Sequence, residues 1–282
     1  MANELPRLSR ALRRLTPAAA LLLGACATAD IQKPIGRAGR LGASLCPSDG
    51  GLTASSIVPG GPADKARLRD GDLLVDYGDA DLSKETVRKS LLWDLRAGAG
   101  KTLRLTVERD GKPVRLKLVP EVKDVYPKDE LYAVLADEIM TGRKVSVAVV
   151  VTGINHTKPE FFSDAQGLEA WKTGMGNSLK NNFENLLLNK AFLHCGNYSV
   201  ADRDATDRVL KELNFQMTGA VSAETAKQVG KMTGASHLLF VDFTRFLQPS
   251  GDYEDDSSVR LVTVESDSVL ASVRFRQHVD PR

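Results

Sequence analysis

Val58-Pro59-Gly60-Gly61-Pro62-Ala63, followed closely by Leu68-Arg69-Asp70-Gly71-Asp72-Leu73-Leu74, sets the architecture of the first half of this chain. The first block is a proline-glycine turn. Ala63 to Leu68 leaves room for a single helical turn, and the second block turns again into the apolar strand Leu73-Leu74-Val75. Ser56 to Val58 reads as the strand entering the first turn. Gly71 stands where a tight turn needs positive φ, and the neighbouring aspartates can accept from backbone amides. Outward from there, Ser83 is placed to cap a helix whose Val87, Leu91 and Leu95 recur every fourth residue as one apolar stripe. Thr102 to Glu108 and Pro113 to Val119 alternate as strands around the hairpin turn Arg109-Asp110-Gly111-Lys112.

These blocks in this order, with Val107-Glu108-Arg109-Asp110-Gly111 as the last, resemble a bacterial PDZ domain of the kind attached to periplasmic proteases, over residues 39–120. The resemblance implies a partly open β-barrel with one or two helices. It also implies a groove where an extended or C-terminal peptide segment of a protein partner adds as a strand to a sheet edge. The peptide's carboxylate is then caught by amides of the preceding loop. Carried onto this sequence, loop and strand are Arg40-Leu41-Gly42-Ala43 running into Ser44 and Leu45, with Val87 and Leu91 on the opposite wall. Ala43 departs from the family, which often has a larger apolar residue there, so a wide pocket or another register is expected. A PDZ fold kept for packing, with an idle groove, is the alternative. Cys46 ends this strand, where a reduced buried thiol is expected.

At 282 residues the chain is long for one domain and comfortable for two. Residues 121–130, charged and introduced by Pro120, read as a linker. Beyond it, Lys144 to Val151 is a near-continuous apolar strand of the kind buried on both faces. Leu168, Trp171, Met175, Leu179, Phe183 and Leu186 mark a long amphipathic helix. A strand from Tyr198 to Ala201 leads to Asp202-Arg203-Asp204, a helix start, with Val209, Leu210 and Leu213 buried behind it. Ser222 can cap a third helix ending near Gly234. Strands His237 to Thr244, Val259 to Glu265 and Val269 to Phe275 follow, the last two joined by Ser266-Asp267-Ser268. Alternating strands and helices, then hairpins, predict an α/β domain over 131–282: a mixed β-sheet with flanking helices.

Three blocks of this half resemble the periplasmic domain of the curli-secretion lipoprotein family (CsgG and its relatives, which include lipoprotein activators of peptidoglycan synthases). They are Val200-Ala201-Asp202-Arg203, the run from Gly219 through Ala226-Lys227-Gln228-Val229-Gly230-Lys231 to Gly234-Ala235, and Val262-Thr263-Val264-Glu265 with Val269-Leu270-Ala271-Ser272. The channel-forming member of that family lends long hairpins to a shared barrel, each strand needing about 9 to 11 lipid-compatible residues. The connection Gln248 to Ser258, with Asp252, Glu254, Asp255 and Asp256, is too short and too acidic for that. Few residues follow Phe275. The expectation is a CsgG-like domain without its own transmembrane barrel.

At the amino terminus, Arg7, Arg10, Arg13 and Arg14 precede a short apolar run, Ala18 to Ala25, in the order of an export signal. The run is about half the roughly 20 residues a spanning helix needs. It closes with Leu23-Gly24-Ala25-Cys26, which resembles the lipobox of bacterial lipoproteins. This implies a signal peptide over 1–25, lipidation on Cys26 and a lipid-anchored tether over 26–38. Burial of acyl chains contributes about 0.8 kcal/mol per methylene, so two or more chains anchor stably. Ala27 in place of an inner-membrane retention aspartate points to the periplasmic face of the outer membrane. The inner membrane and the free periplasm are the alternatives.

A formal charge of +2 gives no field to gather nucleic acid, and no such partner is expected. Cys26, Cys46 and Cys195 lack zinc or redox-pair spacing, and His156, His194, His237 and His278 are scattered, so no metal and no cofactor are expected. No nucleophile elbow or Walker-type loop appears, and an enzyme is not expected. Phe161-Phe162 is a candidate partner anchor or a pair folded back on the domain. The acidic run Asp252 to Asp256 reads as a solvated hairpin tip. Together these features predict a membrane-anchored periplasmic adaptor or assembly factor that binds a protein terminus and docks on outer-membrane or periplasmic envelope machinery, with homo-oligomer formation possible. The alternatives are a ring-forming or accessory subunit of a curli-like secretion assembly, and a regulator of a peptidoglycan-building or proteolytic enzyme.

Overall fold

The computed structural model describes residues 34, 36–98, 100–188, 191–213, 223–266 and 268–279. The signal peptide, Cys26, residues 27–33 and 35 of the tether, the Ser222 cap and Asp267 lie outside them; the end of the tether, from Gly36, is in β1 (Gly36–Arg40).

The first module is an antiparallel sheet of six strands. These are β2 (Ser44–Ser48), β3 (Gly51–Ser55), β4 (Leu73–Tyr77), β5 (Ala80–Asp81), β6 (Leu103–Arg109) and β7 (Lys112–Leu118). The order is β2-β3-β4-β6-β7, with β5 on β4, so β2 is an edge strand. The short helix α1 (Pro62–Lys65) and the longer α2 (Glu85–Ala97) complete it. Leu52, Leu74, Leu91 and Leu118 are fully buried at its centre. Gly71 has φ 87°, and Asp110 and Gly111, at φ 51° and 70°, make the left-handed pair that a tight hairpin needs. Two expectations shift. The strand placed at Ser56–Val58 lies earlier, at Gly51–Ser55, because Ser56 turns left-handed at φ 54° and the Ile57 amide donates to Asp70. Ser83 does not cap α2; its own amide donates to Asp81 Oδ1 at 2.8 Å and Lys84 takes the N-cap position.

The predicted linker carries regular structure. Glu121–Val125 forms β8, paired antiparallel with β1 (Gly36–Arg40) in a separate ribbon, Arg40 opposite Glu121. A two-stranded ribbon satisfies the backbone while leaving charged side chains in water, so a charged composition alone does not exclude it. Helix α3 (Pro127–Ile139) then starts with proline in its first turn, and Asp129 accepts the Tyr126 amide at 2.9 Å.

The second module is a mixed sheet ordered β10-β9-β11-β12-β13. Its strands are β9 (Val145–His156), β10 (Tyr198–Val200), β11 (His237–Leu247), β12 (Tyr253–Thr263) and β13 (Val269–Val279). Strand β9 runs parallel to β10 and β11, and the rest are antiparallel. Its side chains alternate between two cores. Val145, Val147 and Val149 pack with α3 and with Leu179, Phe183 and Leu187 of α4 (Ala165–Leu188). Ala148 and Val150 pack with Ala226 and Val229 of α6 (Ala223–Thr233). Helix α5 (Arg203–Glu212) is capped by Asp202, which accepts the Ala205 amide at 2.7 Å.

The acidic run is not a loose tip. The turn occupies only 248–252, and Asp255 and Asp256 belong to β12. Asp255 accepts two 2.7 Å bonds from Arg245, and the buried Asp256 is held by Arg274 and Arg276 of β13. Cross-strand arginines make these carboxylates compatible with a sheet.

Candidate peptide-binding groove

Strand β2 pairs on one side only, with β3, Ser44 lying opposite Ser55 and Ser48 opposite Gly51. The loop that feeds it is strapped by its carbonyls. Leu41 accepts from the Ala63 amide at 2.9 Å and Gly42 from the Val58 amide at 2.8 Å. This is what the Val58–Pro62 turn does in the fold. Gly42 is left-handed at φ 72°, and the amides of Gly42 and Ala43 donate to nothing among the described residues. Both residues are partly exposed. Carbonyls engaged and amides free is the arrangement that receives a carboxylate. Directly below, the Ser44 and Ser55 hydroxyls are buried without a partner among the described residues.

The remaining groove assignments divide. Val87 is half-buried beside the first module's core. Leu41, Leu45 and Leu91 are core residues, with Leu91 wholly inaccessible, so Leu91 does not line a wall. The buried face of α2 is Arg88, Leu91 and Leu95, not Val87, Leu91 and Leu95. Arg88 draws the helix round by donating to the carbonyls of Leu82, Ser83 and Met140.

Met140 belongs to the second module yet is buried in the core of the first. Around it runs a polar seam along α3. Arg40 donates to Asp129 at 2.6 Å, and Arg96 to Asp137 at 2.9 Å and to the Ala133 carbonyl at 2.7 Å. At its far end Cys46 is bonded to Cys195, 149 residues away, with Cα atoms 4.9 Å apart. The expected free thiol is thus a disulfide. Nothing in the spacing of three cysteines reveals that pair, because the fold alone brings the two together.

Elsewhere, Phe162 folds back, its ring 5.4 Å from His156 and 5.6 Å from Trp171, while Phe161 is exposed. Burial, with Arg245 nearby, holds the His156 pKa below the ordinary imidazole value. Among the described residues no group of three or more His, Cys, Asp or Glu is placed to hold a metal, and no helix is long and apolar enough to cross a membrane.

Residues 39–119 match the family model for the PDZ domain. No curated protein matches the chain. Among solved structures, it is similar to the HtrA-type protease AlgW with a decapeptide, at 20% identity over 31% of this chain and 30% of that one, with a TM-score of 0.27. It is similar to the LpoB C-terminal domain from Salmonella enterica, at 12% identity over 48% and 83%, with a TM-score of 0.27. For lipoprotein GNA1162 from Neisseria meningitidis the identity is 17% over 48% and 82%, with a TM-score of 0.31. The chain spans only about 30% of the length of the AlgW chain. The first module is a PDZ-like domain, and the second a mixed sheet with flanking helices.

Proposed function

We propose that this protein is a lipid-anchored adaptor of the bacterial cell envelope. Its PDZ domain captures the carboxyl terminus of a partner, and its second, CsgG-like module docks on envelope machinery; the protein itself is not an enzyme. The observation that carries this reading is the pair of unengaged amides at Gly42 and Ala43 at the head of the edge strand β2. Anchoring rests on the arginine-led apolar run and on Leu23-Gly24-Ala25-Cys26. The Cys46–Cys195 bond supports export independently, since disulfides persist in oxidising compartments and are rare in the cytosol.

The test compares peptides ending in a free carboxylate with the same peptides amidated. Loss of charge-assisted bonds, roughly 1.5 to 3 kcal/mol, predicts at least about tenfold weaker binding of the amides. Equal binding of acids and amides defeats the reading. Val87→Asp, at the half-buried margin, is the control that abolishes binding without cutting into the core.

A ring-forming subunit is the second reading, and one observation favours it. Strand β13 is the outer strand of its sheet, leaving an edge for a neighbouring copy. A discrete high oligomer by mass measurement in mild detergent selects this reading; a monomer rejects it.

A further inference from the structure

An edge strand ready to accept a ligand leaves its outward amides and carbonyls in water. Strand β2 does so only at its two ends, the loop at its head and Pro47-Ser48 at its foot, the last exposed. Gly42 and Ala43 are partly exposed, but Ser44, Leu45 and Cys46 are 3%, 8% and 7% exposed although β2 is an edge. Alternation along the strand sends Leu45 into the core of its own module and Cys46 into that of the other. What covers the strand is the short helical turn Ala191–His194, which packs on β2 and ends at Cys195. The Cys195 sulfur stands 3.8 Å from the Leu45 carbonyl oxygen and is bonded to Cys46.

We propose that this turn is the resident occupant of the lower part of the groove, and that the Cys46–Cys195 bond is a clamp limiting a ligand to its last few residues. The head of the groove takes the carboxylate. At Leu45 and Cys46 the place of an added strand is held by the protein's own chain. This rests on the carboxylate-capture reading for its ligand, but the cover itself is independent of any ligand. The bond is itself buried, Cys195 being 2% exposed, which fits a standing clamp.

The test uses the full chain with Cys46 and Cys195 both changed to serine, beside the wild type. The probes are random octapeptides with free carboxyl termini and the tripeptides matching the last residues of those selected. The wild type is expected to bind octapeptide and tripeptide within about twofold, whereas the variant gains about tenfold or more for the octapeptide, each added strand residue contributing main-chain bonds. Amide exchange at residues 45 and 46, measured without ligand, is expected to quicken at least about tenfold in the variant while β6 and β11 stay protected. A wild type that already prefers the octapeptide tenfold overturns the clamp, as does unchanged exchange at residues 45 and 46. Faster exchange with no peptide bound by either form supports the clamp and removes the carboxylate-capture reading. The second measurement is on wild type treated with excess dithiol. There the S–S bond breaks, two thiols form and the dithiol closes to its own disulfide. Loss of near-ultraviolet circular dichroism in both altered forms would make the bond a support of the whole fold and likewise overturn the proposal.

Discussion

Replacing Asp72 by alanine should be among the costliest single changes in the first module. Asp72 is 3% exposed and ties three segments together. Arg109, from the hairpin of β6 and β7, donates to both its oxygens at 2.8 and 2.6 Å, and the Arg69 amide donates to it at 2.8 Å. Burial alone would raise the Asp72 pKa, but the bonds from Arg109 and from the Arg69 amide outweigh it and hold the carboxyl below its usual range. Without Asp72 the guanidinium keeps the Arg67 carbonyl, at 2.8 Å, as its hydrogen-bond acceptor among the described residues, and the Arg69 amide loses its acceptor. Breaking one side of a buried pair costs about 3 to 5 kcal/mol; because Arg109 is partly exposed, we expect the lower end, about 3 kcal/mol. The assay is urea denaturation with a double-mutant cycle against Arg109→Met. The sign with pH follows from a depressed folded pKa. The contribution is fully present above the unfolded value near 3.9 and is lost as pH falls through the folded one, so Asp72→Asn flattens the acid limb. A cost below about 1 kcal/mol, or a coupling energy near zero, refutes the assignment of this pair as the tie.

Three further outcomes are expected. Gly42→Ala forces an L side chain to φ 72° with its Cβ 3.4 Å from Pro62 Cδ, costing about 1 to 2 kcal/mol and weakening carboxylate binding in titration calorimetry. Gly230→Ala, which in an open helix would stabilise, should instead lower the melting temperature, because the new methyl meets the Val264 side chain, its Cβ at 2.9 Å; overpacking costs about 1 to 3 kcal/mol. His237 is buried, and burial lowers its pKa despite the nearby Glu138. Stability should therefore decline as pH falls below the unfolded value near 6.5, towards the folded one, and His237→Gln should remove that slope in denaturation measured from pH 8 to 5.

The parts of the fold legible in the sequence are those set by local chemistry. Gly71 and Asp110-Gly111 announced their turns because few other residues accept positive φ. Strand β9 was visible because Val145, Val147, Val149, Ala148 and Val150 leave no polar face. What escaped depends on partners distant in the chain. Glu121–Val125 pairs with residues 81 to 89 positions earlier, so its charges alone resemble a linker. The carboxylates Asp255 and Asp256 resembled a solvated tip until Arg245, Arg274 and Arg276 were placed across from them. Spacing alone suggests a wall position for Leu91, because it cannot show that Arg88, polar by type, occupies the buried face. Resemblance singles out the loop at Leu41 to Ala43, but nothing local shows that the turn Ala191–His194 packs on β2, since Cys195 carries no mark of its bond.

The seam explains why the two modules need not move independently. Arg88 and Arg96 reach the carbonyls of Met140 and Ala133 in and just beyond the last turns of α3, while Asp129 near its start receives Arg40. Cations at the C-terminal end of a helix and anions at its start are both favoured by the helix dipole, so one orientation of α3 against the PDZ-like module is favoured over its reverse. Met140 adds an apolar anchor in the neighbouring core, and the disulfide fixes β2 at the other end of the contact. The carbonyl straps at Leu41 and Gly42 lie within the first module, but the disulfide at β2 also touches the second. A ligand that displaces the turn from β2 must therefore disturb the contact at Cys195 and the adjoining Asn197, whose side-chain amide donates to the carbonyls of Ile139 and Arg143 at 2.9 Å each. Displacement of the turn from β2 and loosening of α3 therefore involve the same bonds, so a change that loosens α3 is expected to bare more of β2.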